Sequence, residues 1–370
     1  MLHRLKENSP EVRNPMKNQV LEGVAKALVE EGKGILAADE TVGTITKRFE
    51  QLNISSTPES RRDFRQLLFT TPGAASFISG VILYDETIRQ RSSDGVPLPD
   101  LLIKQGIIPG IKVDLGAKAL ASSEGETVTE GLDGLRDRLV EYRTMGARFA
   151  KWRAVVRITD QLPSRTCIEV NAHALGRYAS LCQEQGLVPI VEPEVLMDGP
   201  HDIERCGEVT DRVLYAVLGQ LYQQKVSLGA MLLKPNMVVA GSLCETQASI
   251  TEVSHATIRC LKRHVPAAVP GVVFLSGGQR DVIATIHLNA INKMAGSKPW
   301  KITFSYGRAL QDPALAIWGG DNENWLAAQE AYYHRAKCNS AASLAKYTAA
   351  METEFRCEPA RTYYSDQADD

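Results

Sequence analysis

Eight short segments rich in apolar and β-branched residues recur along the chain, with stretches of helical composition between them, and this alternation most constrains the fold. They are GILAAD (34–39), FISGVILY (77–84), IIPGIKVD (107–114), RFAKWRAVV (148–156), LVPIVEPEV (187–195), GAMLLKPNMVV (229–239), GVVFLSGG (271–278) and KITFSYGRA (301–309). Each is more continuously apolar than alternating, as parallel strands are when helices cover their outer face. The alternation predicts an α/β protein, a single (β/α)8 TIM barrel. A doubly wound open sheet is the alternative. It usually carries a Gly-rich fingerprint after its first strand, where this chain reads AADE.

The intervening stretches support helices. Thr57-Pro58-Glu59 offers an N-cap and a first-turn proline ahead of RRDFRQLLF. Thr129 is expected to cap a helix whose apolar face carries Leu132, Leu135, Leu139 and Tyr142. Residues 167–185, 201–224 and 246–264 also have helical length and composition, and His201 is read as a structural residue at a helix start. A barrel domain over 1–356, including an N-terminal helical lead, is expected to precede a mobile polar tail, CEPARTYYSDQADD (357–370).

Charge and composition narrow the function. At 370 residues, with 42 basic against 44 acidic side chains, the chain has a formal net charge of −2. That balance argues against a nucleic-acid partner, which needs a basic excess on one face. No apolar run approaches the roughly 18 residues of a membrane span, and the polar start has no signal-peptide core. The expected protein is cytoplasmic, with no membrane partner. Its seven cysteines are scattered without a C-x-x-C pair, and its histidines form no H-E-x-x-H cluster. Neither a disulfide framework nor a metal site is therefore expected.

In a barrel of this kind the chemistry lies at the carboxyl ends of the strands. Charged residues are rare inside buried strands, so those found there are informative. Asp39 ends the first segment, Lys112 lies near the end of the third, and Lys151 and Arg153 lie in the fourth. Glu192 and Glu194 end the fifth, Lys234 lies in the sixth, Ser276, Gly277 and Gly278 end the seventh, and Arg308 lies near the end of the eighth. Residues two apart share a face, which pairs Lys151 with Arg153 and Glu192 with Glu194. Lysines brought together in a poorly solvated barrel should depress one another's pKa. A lysine made partly neutral in this way can attack a ketone to form a Schiff base, and nearby carboxylates can move the protons. These residues alone do not choose which lysine is the nucleophile. The backbone N–H groups of Ser276-Gly277-Gly278, with Gly307 and Arg308, suit a phosphate at the end of the barrel. Lys47 and Arg48 are either a second anion site or a solvated basic patch.

These residues, in GKGILAADE, ISGVILYDET, GIIPGIKVD, GARFAKWRAV, LVPIVEPEVLMDG, LLKPNMV, LSGGQ and TFSYGRALQ, make the chain resemble class I fructose-bisphosphate aldolases from about residue 32 to about 310. The resemblance implies reversible cleavage of fructose 1,6-bisphosphate to dihydroxyacetone phosphate and glyceraldehyde 3-phosphate in glycolysis and gluconeogenesis. It implies a homotetramer that acts on a phosphorylated ketose without metal or cofactor. Under it Lys234 forms the Schiff base, and Glu192 is the acid/base of carbinolamine dehydration, with Glu194 beside it. Lys151 is the second lysine, lowering the pKa of Lys234 and orienting substrate hydroxyls, and Asp39 takes the hydroxyl proton as the carbon–carbon bond breaks. Ser276, Gly277, Gly278, Ser305, Gly307 and Arg308 match the pocket for the phosphate nearer the ketone. Arg48, with Lys47, Thr44 and Lys112, matches the residues facing the other phosphate, and Arg153 joins the substrate-binding set.

The chain departs from the family pattern in places. It reads ADET at 38–41 where relatives often read ADES, and Val113-Asp114-Leu115-Gly116 where VDKG is common, which removes a positive charge near the mouth. Many relatives end on a tyrosine that helps protonate the enamine, whereas here Tyr363 and Tyr364 are followed by six further residues. These differences raise fructose 1-phosphate as an alternative substrate. A non-catalytic scaffold role is a third reading, and a pure scaffold has no need of buried lysines.

Overall fold

The computed structural model describes residues 15–353. Among the described residues ten strands form: β1 (Gly34–Ala38), β2 (Ile78–Leu83), β3 (Ile108–Lys112), β4 (Ala117–Ala119), β5 (Thr127–Thr129), β6 (Phe149–Val156), β7 (Val188–Val195), β8 (Leu232–Leu233), β9 (Gly271–Phe274) and β10 (Lys301–Tyr306). Eight of them close into a barrel in the order β1-β10-β9-β8-β7-β6-β3-β2, and every pair is parallel. All the residues of β1, β2, β7, β8 and β9 are buried, which accounts for the near-continuous apolar runs of the sequence.

All eight expected segments supply barrel strands, but two ladders are much shorter than their apolar runs. Residues 229–239 contribute only Leu232–Leu233. Lys234 still donates its N–H to Val191 O at 2.8 Å, and Pro235, which has no N–H, follows it. The segment 271–278 pairs only as far as Phe274, so Ser276–Gly278 form a loop.

The helices begin where capping side chains allow. Thr57 and Ser60 form a reciprocal capping box at the start of Pro58–Phe69. Ser164, Asp202 and Ser249 cap Arg165–Gln185, Ile203–Gln223 and Ile250–His264. His201 stands one residue before the cap Asp202 and is buried. The cap expected at Thr129 is not there. Thr129 closes an antiparallel hairpin of β4 and β5, and its N–H donates to Asn171 Oδ1. Gly131 and Gly134 then take φ of 125° and 64°, so the helix starts only at Leu135. The boundary expected at 356/357 lies outside the described residues, as does Cys357; the other six cysteines are unbridged.

Two apolar layers hold the barrel. One packs the strands' outer face against the helices. The other fills the interior, where Ile35, Ile82, Phe149, Ile190, Leu232 and Val273 meet Leu21, Ala25 and Leu28 of the helix Pro15–Leu28. That helix plugs the amino-terminal end of the barrel. Phe149 fits because its neighbour on β3 is Gly110: a Cβ there would overlap the Phe149 ring. Gly110→Ala should therefore cost about 1–3 kcal/mol through overpacking. Gly23→Ala, at an exposed helical site where a Cβ meets no atom of the described residues within 4 Å, should add about 0.5–1 kcal/mol. Thermal denaturation of the two variants checks the pair, with Tm moving in opposite directions.

Candidate active site

Closure of the barrel delivers β1, β6, β7 and β8 to one buried layer at their carboxyl ends. Lys151 on β6 points inward, with its Nζ 2.6 Å from Asp39 Oδ2 and 3.2 Å from Glu192 Oε2. Glu192 on β7 reaches Lys234 Nζ with its other oxygen at 3.1 Å. The four groups form a chain of alternating charge, Asp39–Lys151–Glu192–Lys234, with none more than 9% exposed. Lys151 and Lys234 are not on adjacent strands, because β7 lies between them and sets Glu192 between their ammonium groups.

This arrangement overturns one expectation. Burial alone would lower the pKa of Lys151, but Asp39, Glu192 and Asp114 outweigh it and hold the amine well above its ordinary value. Burial likewise pushes Asp39 and Glu192 up, and the lysines around each more than reverse it, so both carboxyls lie below their usual range. Lys151 is thus a fixed cation and Asp39 a fixed carboxylate.

A second layer lies one side-chain step nearer the mouth. Arg153 and Glu194 continue the inward faces of β6 and β7 and pair at 2.5 Å, with Glu194 buried and Arg153 exposed. Lys112 binds Asp114 through Oδ1 at 2.6 Å and the backbone carbonyl at 2.7 Å. Asp114 also accepts from the N–H groups of Gly116 and Arg153, so it fixes the β3 exit against β6.

The loop after β9 turns through Gly277 and Gly278 at φ of 59° and 87°, a pair of positive angles that side-chain-bearing residues rarely adopt. Gln279 pins it, donating its N–H and Nε2 to Ser276 O. Its Oε1 accepts from Nδ1 of His287, whose pKa burial pushes down to about 4, leaving the ring neutral. A Cβ on Gly278 would lie 3.5 Å from Arg308 Nη2. Gly307 and Arg308 open the 11-residue helix Arg308–Trp318, whose first N–H groups suit an anion. Ser305 Oγ, buried near the end of β10, has no hydrogen-bond partner among the described residues. This end of the barrel gathers Ser276, Gly277, Gly278, Ser305, Gly307 and Arg308.

The Arg48 side differs from a solvated basic patch. Lys47 and Thr44 are exposed, Thr44 within hydrogen-bond reach of the helix cap Thr41. Arg48 is largely buried and bound to Glu40 at 2.5 Å and Asp312 at 2.7 Å. Glu40 gives its other oxygen to buried Arg65, and Gln311 bridges Glu40, Arg65 and the carbonyl of Ala37. Sequence reasoning missed Glu40, Arg65, Gln311, Asp312 and the pinning pair Gln279–His287. Glu40 had a signal, standing beside Asp39 at a strand end. The others come from helices and a loop, where a polar residue carries no such mark.

Among the described residues, His334, Cys338 and Glu352 bring possible metal-ligand atoms within 4.8 Å of one another. Arg335 Nη1 donates to both oxygens of Glu352 at 2.7 and 2.6 Å, and Tyr347 donates at 2.8 Å. The carboxylate is therefore already neutralised and a poor cation ligand.

A family model described as fructose-bisphosphate aldolase class-I matches residues 20–367. The chain belongs to the class I fructose-bisphosphate aldolase family. A probable fructose-bisphosphate aldolase class 1 of Xanthomonas campestris pv. campestris is 56% identical over 333 residues, covering 90% of this chain and 99% of that one. The cytosolic fructose-bisphosphate aldolase 4 of Arabidopsis thaliana is 54% identical over 316 residues, 85% of this chain and 80% of that protein. A solved structure of the Plasmodium falciparum fructose-bisphosphate aldolase superposes with a TM-score of 0.90 at 48% identity, over 92% of this chain and 99% of that one. The barrel of this aldolase-family chain is therefore the fold its sequence predicts.

The buried charge chain sets an acid limit on stability. Asp39 and Glu192 have lower pKa values folded than unfolded, so the native state binds fewer protons and its stability rises with pH across that interval. Their contribution is complete above about 4.5 and is lost as pH falls through the folded values. That of Lys151, whose pKa is raised, persists until pH exceeds about 10.4. Asp39→Asn should flatten the fall of Tm below about pH 4.5, as measured by circular dichroism against pH. An unchanged acid limb would show that Asp39 does not carry this linkage.

Proposed function

We propose that this chain cleaves fructose 1,6-bisphosphate reversibly to dihydroxyacetone phosphate and glyceraldehyde 3-phosphate through a Schiff base on Lys234. The observation that carries the residue roles is the position of Glu192, within 3.2 Å of one lysine and 3.1 Å of the other. Lys234 must shed a proton to attack the ketone, and Glu192 is the carboxylate in reach. The same group then returns a proton to the carbinolamine hydroxyl, which leaves as water to give the protonated imine.

In the cleavage step Asp39, held as a carboxylate by Lys151, accepts the proton of the substrate hydroxyl. The carbon–carbon bond breaks and its electron pair flows into the protonated imine, leaving an enamine on Lys234 and releasing the aldehyde. Protonation of the enamine carbon and hydrolysis of the resulting imine free the ketone product and Lys234. Lys151 is a permanent cation in this scheme, orienting hydroxyls and keeping Asp39 ionised. Glu194, buried next to Glu192 on the same face of β7, is held in place by Arg153. Ser276, Gly277, Gly278, Ser305, Gly307 and Arg308 hold the phosphate nearer the ketone, and Arg48, Lys47, Thr44 and Lys112 face the other. Tyr363 and Tyr364, candidates for the enamine proton donor, lie outside the described residues.

A cytoplasmic, homotetrameric enzyme of glycolysis and gluconeogenesis completes this reading. The cytosolic relative supports the location. Tyr215 and Tyr222, seven residues apart on the helix Ile203–Gln223 and 74% and 82% exposed, offer an apolar stripe for assembly. Among the described residues no helix is long and apolar enough to cross a membrane.

Borohydride reduction with fructose 1,6-bisphosphate and a chelator, followed by peptide mass mapping, tests the central step. A reduced adduct should appear on Lys234, and Lys234→Met should lose both adduct and turnover while keeping its Tm within a few degrees. An adduct on another lysine, or turnover surviving in that variant, would overturn the assignment.

A further inference from the structure

We propose that Asp312 is a specificity-determining residue, a carboxylate of the protein that competes with the second phosphate of a bisphosphate ketose for the Arg48 guanidinium. This inference rests on the reading above, in which Arg48 faces that phosphate. Both terminal nitrogens of Arg48 are engaged by acids: Nη1 by Glu40 Oε1 and Nη2 by Asp312 Oδ1 at 2.7 Å. Arg48 and Arg65 carry two positive charges, and Glu40 and Asp312 carry two negative ones, so the cluster is neutral before substrate arrives. A phosphate reaching Arg48 must therefore displace a carboxylate or share the guanidinium with it.

The two carboxylates are not equally displaceable. The Glu40 side chain is 12% exposed, spans two arginines and accepts from Gln311 as well. The Asp312 side chain is 35% exposed and holds Arg48 through Oδ1. Asp312 is the group that yields. The buried part of its side chain holds its pKa above the ordinary carboxylate value, although Arg48 and Arg308 pull it down. When Asp312 swings away, part of the Arg48–phosphate attraction goes into replacing an existing ion pair. A monophosphate with no group at that end does not meet this competition.

Steady-state kinetics on Asp312→Asn and Asp312→Ala, with Tm measured to verify folding, test the idea. The ratio of KM for fructose 1,6-bisphosphate to KM for fructose 1-phosphate should fall by about three- to tenfold in both variants. Arg48→Ala is the companion measurement and should raise the same ratio. An unchanged ratio in the Asp312 variants, or an equal fall in both KM values, overturns the inference while a raised ratio in Arg48→Ala leaves the underlying reading standing. An unchanged ratio in Arg48→Ala removes Arg48 from the phosphate, and both then fall.

Discussion

A carboxylate shared by two ammonium groups holds the centre of this molecule together. Glu192 cannot be buried alone, nor can Lys151 or Lys234, because a lone charge in a dry interior costs several kcal/mol after every relaxation. Alternation removes the problem. Lys151 and Glu192 on β6 and β7, with Asp39 and Lys234 one residue past the ends of β1 and β8, sum to zero charge and can meet only if the barrel closes with β7 between β6 and β8. Chemistry and fold thus impose the same geometric demand. A shift of β7 by one residue would turn Glu192 and Glu194 outward into apolar packing.

Beneath the charged layer the interior is largely apolar, with buried Thr303 donating to the carbonyl of Lys33, and above it the side chains grow more polar and more exposed toward the mouth. This gradient is consistent with an electrostatic site that acts through preorganised charge in a place largely shielded from water. Lys151 illustrates the effect. Asp39, Glu192 and Asp114 together do more than overcome its burial, so it supplies a constant positive charge across the neutral pH range.

Much of this was legible in the sequence because barrel strands concentrate information. A charged residue in or at the end of an apolar run has few structural uses, so Asp39, Lys151, Glu192 and Lys234 stand out in the sequence itself. The sign of the Lys151 shift was not legible, since it depends on which carboxylates lie within about 3 Å, a matter of side-chain direction across strands. Nor was the hairpin ending at Thr129: Thr-Val-Thr fits a strand as well as a helix start, and the two glycines after it decided the matter. The acids around Arg48 were hidden for another reason. Asp312 lies one turn into a helix, where an aspartate looks like an ordinary solvated residue.

The helix Pro15–Leu28 makes the barrel a vessel with one opening, since Leu21, Ala25 and Leu28 fill the far end. Under the proposed chemistry two products arise from one substrate and must leave by the same door. One half is tethered to Lys234 as the enamine when the bond breaks, while the aldehyde half is free. Departure therefore has an order built into the architecture: the aldehyde exits first, and in the synthetic direction the ketone must enter first.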